Sequence, residues 1–89
     1  MAFVAKNLSV IAYANGFTLW HYTTPDPAAT VDTSGYFNAA SDVIRVGDLV
    51  LANVEVGGAI KGGLFMVSSN AAGIVDVNDM TQVGAADTD

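Results

Sequence analysis

Cysteine is missing from the 89 residues, which removes disulfides, thiolate nucleophiles and nearly every structural zinc framework in one step. Positive charge is almost as scarce. Lys6, Arg45 and Lys61 are its three cations, they do not cluster, and nine acidic residues bring the formal net charge to −6. Gripping a phosphate backbone takes a basic stripe, so nucleic acid is excluded as a partner. The same acidity disfavours an anionic membrane and suits a basic patch on another protein. No apolar stretch approaches the ~20 residues of a spanning helix, and residues 1–4 lack the basic start and apolar run of a leader. A soluble product made in the cytoplasm is expected.

What is present argues for a folded module. The hydrophobic fraction is 52% and the charged fraction 13%, the opposite of a disordered chain, which lacks the apolar surface to offset ordering entropy. A chain this short supports one core, so residues 1–89 are expected to form one domain. With so few charges to cover it, part of the apolar surface is expected at contacts with other chains.

Two strands are predicted over residues 8–13 and 17–22, joined through Ala14, Asn15 and Gly16, because Asn-Gly supplies the positive φ angles of a tight hairpin. Residues 23–34 hold both prolines, Pro25 and Pro27, with Asp26, Thr30, Asp32 and Thr33. That composition favours turns over ladder pairing and makes this stretch the one long loop, a candidate binding loop. Tyr36, Ala39, Ala40, Val43 and Ile44 recur at spacings of three and four and predict a short helix. Val50, Ala52, Val54 and Val56 then form the apolar face of a strand whose other face opens with Leu49 and Leu51. Residues 60–70 carry the continuous apolar run Leu64, Phe65, Met66, Val67, a central-strand pattern in which Phe65 and Met66 are core residues. Gly62 and Gly63 suggest a bulge or bend there. Residues 74–77 give the last clear strand, and 84–89 a flexible acidic tail. Short strands at regular glycine-marked intervals predict an all-β fold, a small antiparallel barrel or sandwich with one short helix. The segment from Arg45 to Leu51 resembles the core of SH3-like barrels.

No residue set carries catalysis. His21, on a strand beside Trp20 and Tyr22 with Asp26 near in sequence, has no nucleophile or cleft to serve and is expected to be a hydrogen-bonded, half-buried side chain. Asp76, Asn78 and Asp79 resemble the start of a calcium loop but lack its glycine and closing glutamate, so a turn is expected and no metal or cofactor is implied. Trp20, Tyr22, Tyr36 and Phe37 are core by default. Their alternative is a protein interface, where large aromatics give contact area at small entropic cost. On that alternative the candidate contact residues are Trp20, Tyr22, Pro25, Asp26, Pro27 and Tyr36.

Residues 7–9 (Asn-Leu-Ser), residues 13–22 (Tyr-Ala-Asn-Gly-Phe-Thr-Leu-Trp-His-Tyr), residues 35–40 (Gly-Tyr-Phe-Asn-Ala-Ala) and residues 45–48 (Arg-Val-Gly-Asp) carry a family resemblance. Taken together they resemble small head decoration (cement) or head-spike base proteins of tailed bacteriophages and gene transfer agents. The resemblance runs over most of the chain, and these segments have no chemistry attached to them. It implies a non-enzymatic virion subunit on the capsid surface, made in the host cytoplasm, whose partners are the major capsid protein and copies of itself, a trimer being one symmetric form. A head-spike or fibre base, or a head–tail or tail component, is the alternative within that setting. A small β-barrel module that binds a peptide or ligand for a cellular protein is the alternative outside it.

Overall fold

The computed structural model describes residues 3–84. Asn15 and Gly16 take φ values of 55° and 77°, so the first turn closes in two residues and β1 (Leu8–Ala14) folds back antiparallel on β2 (Phe17–Thr23). The expected hairpin is present, with Ala14 inside the strand opposite Phe17.

The chain then crosses over instead of turning back. Residues 24–48 carry it to β3 (Leu49–Val54), which lies parallel to β2, with Trp20 beside Val50 and Tyr22 beside Ala52. Parallel neighbours require a connection of a dozen residues or more, and this one holds the four-residue α1 (Ala28–Val31) and a 3-10 turn at Asn38–Ala40. β4 (Lys61–Ala71) returns antiparallel to β3. A second two-residue turn, Ala72 and Gly73 at φ 54° and 79°, leads into β5 (Ile74–Val77), and β6 (Thr81–Val83) runs back along the start of β4. Strand residues make up 46% of the described residues, so the all-β class with one short helix holds. In detail the sheet is mixed, in the order β1-β2-β3-β4-β5 with β6 also on β4, and it does not close into a barrel, SH3-like or other.

The core lies on one face of this sheet, filled by Trp20, Tyr22, Val50, Val54, Phe65 and Val67 from the middle strands. Their alternation follows from the pleat, which sends every second side chain to the same side. The crossover covers them with Val31, Phe37, Ala40 and Ile44. Each large side chain so buried is worth about 1.5–3 kcal/mol.

Several expectations are corrected. No α-helix spans Tyr36 to Ile44: Phe37, Ala40 and Ile44 face the core, while Ala39 and Val43 face solvent. One helical turn costs more to nucleate than it gains, and bonds to the sheet replace it. Asn38 Oδ1 accepts from the Val75 amide at 2.9 Å, and Asn70 Nδ2 donates to the Ser41 and Ile44 carbonyls at 2.8 and 2.7 Å. The α-helix sits instead inside the expected loop at 23–34. That stretch also extends the parallel ladder, since Thr24 and Asp26 exchange backbone bonds with Asn53, Glu55 and Val56. Val56 lies beyond β3, because Glu55 turns to φ 55° and ends the alternation. Gly62 and Gly63 are regularly paired between β3 and β6 instead of forming a bulge, and the register shift in β4 falls between Val67 and Ser69. Met66 is exposed, not core. β6 adds a strand after the last one expected, and the acidic tail lies, from residue 85 on, outside the described residues.

Candidate protein-contact surface

Of the six contact candidates, Trp20, Tyr22 and Asp26 are buried, Tyr36 is half-buried, and Pro25 and Pro27 are exposed. The first three therefore face inward, Trp20 and Tyr22 as the core residues they are by default. Position in the pleat is the reason: Trp20 and Tyr22 share the phase of Thr18, on the side that the crossover covers.

Inward they build two polar locks. At the first, the Val4 amide donates to the Tyr22 hydroxyl at 3.1 Å, and the Tyr22 and Tyr36 hydroxyls lie 3.0 Å apart. Tyr36 spends its single proton on Asp26 Oδ2 at 2.7 Å, so Tyr22 must be the donor of the pair and the chain of bonds has one direction, from Val4 to Asp26. Burial raises the Tyr36 phenol well above its ordinary value; Thr24 opposes the rise, and the bonds to Tyr22 and Asp26 add to it. Tyr36 thus stays a neutral donor at working pH. Asp26 Oδ1 is buried and receives no bond from the described residues. Phe3, Tyr22, Tyr36 and Phe37 pack around this lock with ring centroids 5.1–6.2 Å apart.

The second lock is Asp48, which reads in the sequence as no more than a turn residue. It is 1% exposed. Its Oδ1 accepts from the Thr18 amide at 3.1 Å, and its Oδ2 from Trp20 Nε1 at 3.1 Å and the Arg45 amide at 3.0 Å. Its backbone also pairs with Val67. One carboxylate so ties the entrance of β3 to β2.

His21 lies on the opposite face of the sheet, with Nε2 3.1 Å from Asn53 Oδ1. It is the half-buried, hydrogen-bonded residue expected, with Asn53 as its partner in place of Asp26. Asp76, Asn78 and Asp79 form the end of β5 and the link to β6. Burial first, and then the Asp79 carboxylate, raise the Asp32 carboxyl above its ordinary value, with a smaller push from Asp76. Among the described residues no three acidic or histidine side chains are grouped to hold a metal ion, and no pocket opens on the surface.

The surface left to meet a partner is the outer face of the sheet. Pairing puts Leu19, Leu49 and Met66 in one row across β2, β3 and β4, and His21, Leu51 and Leu64 in the next. Phe17 lies beside the first row on the same face. Leu51 and Met66 are 37% and 43% exposed, and Phe17, Leu19, Leu49 and Leu64 are half-buried by their neighbours alone. None of these six packs against the core. In the sequence the apolar run in β4 points to a strand buried on both faces; the signal that both faces are apolar is present, but nothing among the described residues covers the second one. Among the described residues no helix is long and apolar enough to cross a membrane. Comparison of the sequence with family models, with curated proteins and with solved structures finds no match.

Proposed function

We propose that this chain is a non-enzymatic structural subunit of a tailed-phage head or phage-like particle, a decoration protein that binds the outer capsid surface and stabilises the assembled shell. The observation that carries the reading is the outer sheet face. Three hydrogen-bonded strands hold Leu19, Leu49, Leu51, Leu64 and Met66 in two rows with Phe17 beside the first, a surface suited to a broad protein partner and not to a small ligand. The resemblance carried by residues 13–22 and 35–48 supplies the setting, with the major capsid protein and copies of this chain as partners. A net charge of −6 favours a lattice whose facing surface is basic.

The mechanism is linkage. A subunit that binds the assembled lattice better than the unassembled one stabilises assembly by its difference in affinity. Repetition over the shell multiplies a small gain per copy. The test adds the purified protein to preformed shells and follows co-sedimentation. The parent is expected to bind in many copies per particle, and Leu51→Asp/Met66→Asp to bind at least tenfold more weakly with unchanged circular dichroism. Binding in a few copies at one vertex points to a spike base or head–tail component. No binding by the parent removes the reading, and a cellular ligand-binding module then takes its place.

A further inference from the structure

The two edges of the sheet are built differently. One edge is β5 and β6, four and three residues long, interrupted at 78–80 and carrying Asp76. Short strands and a charge are how proteins protect an open edge from pairing with another chain. The opposite edge is β1, seven residues reading Leu-Ser-Val-Ile-Ala-Tyr-Ala. Among the described residues its one strand neighbour is β2, and the amides and carbonyls that point away from β2 have no strand partner there. It contains no lysine, no acid and no proline, and Val10, Ile11 and Tyr13 are 56%, 50% and 63% exposed. The register shift at Ile11 is its one blunting feature.

Charge indicates which partner fits that edge. β1 itself carries no charged side chain; Asp26 and Asp48, the latter bonded to β2, are buried inside the fold, and the less buried Asp32, Asp42, Asp76 and Asp79 lie on the crossover and around β5. Two copies of a chain at −6 repel at most approaches, and least where the paired segments carry no acid of their own. A strand with no charge of its own meets an identical strand without like-charge opposition.

We propose that the free edge of β1 pairs antiparallel with β1 of a second copy about a two-fold axis near Ile11, joining two sheets into one. The pairing is isologous, since the same seven residues serve both sides. It leaves the outer face of both copies on one continuous surface. One strand edge offers less than the ~800 Å² per partner of a standard interface, so a dimer of micromolar affinity is expected.

Sedimentation equilibrium of the full chain over a concentration series tests this without any shell, and so independently of the capsid reading. The parent is expected to pass from monomer to dimer with rising concentration. Val10→Lys/Tyr13→Lys is expected to stay monomeric, with the near-ultraviolet dichroism of buried Trp20 unchanged; should that signal be lost, Ile11→Lys takes its place. Leu51→Lys is expected to dimerise like the parent. A parent that stays monomeric, a trimer, or a dimer that survives the β1 lysines and disappears with Leu51→Lys overturns the proposal.

Discussion

Asp48 accepts only from N–H donors, one on Oδ1 and two on Oδ2, and that makes its charge chemically specific. An asparagine of the same shape must place its NH₂ against at least one of these donors in either orientation. Asp48→Asn is therefore expected to lose about 2–3 kcal/mol, since bonds to a charged acceptor are worth ~1.5–3 kcal/mol each and a buried orphan donor adds its desolvation cost. A denaturant midpoint within error of the parent would refute this. Asp32 is the reverse case. Its carboxyl is raised by burial and by Asp79 above the 3.8 of the unfolded chain, so the folded state holds its proton at pH values where the unfolded state has released it. Stability from this group is present at low pH and is lost as pH rises through the folded-state value. Asp32→Asn is expected to melt higher than the parent at pH 7, with the gap closing as pH falls to 3.8 and below. A melting series in pH checks both halves of that statement.

At the scale of elements, the link from β5 to β6 depends on one missing side chain. A Cβ added to Gly63 would stand 2.6 Å from the Thr81 carbonyl oxygen and 2.5 Å from Met80 Cγ. β6 can lie against β4 only because Gly63 leaves that room. Gly63→Ala is expected to cost about 1–3 kcal/mol, the range of an overpacked core site, and to expose the β6 amides to fast hydrogen exchange. Gly62→Ala is the control, because its nearest neighbour would be Asn53 Nδ2 at 3.5 Å, an ordinary contact. Equal exchange in the two variants would show that Gly63 is not what seats β6. The crossover is a second lesson at this scale. Twenty-five residues between β2 and β3 are far more than a hairpin uses, and that length is the one sign in the sequence that the two strands run parallel.

As a whole the molecule is a slab of 44 × 30 × 21 Å, thin enough for one sheet and one covering layer at the ~10 Å spacing of packed layers. A two-layer slab has one covered and one uncovered sheet face, so Leu51 and Met66 lie outside the fold's own stability. Leu51→Asp/Met66→Asp is accordingly expected to unfold within about 1 kcal/mol of the parent, as surface substitutions do, while losing attachment to shells. A loss of several kcal/mol would place these residues in the core instead. The local elements were legible in the chain: the Asn15-Gly16 hairpin, the inward phase of Val50, Ala52 and Val54, and the all-β class follow from turn chemistry and a period of two, which act between near neighbours. Which of two apolar faces is covered, that Asp48 gathers donors 28 and 30 residues away, and that the sheet stays open were decided only by the tertiary structure. Those outcomes depend on where residues 24–48 lie down, and that is set by the summed burial of side chains far apart in sequence, which no local pattern records.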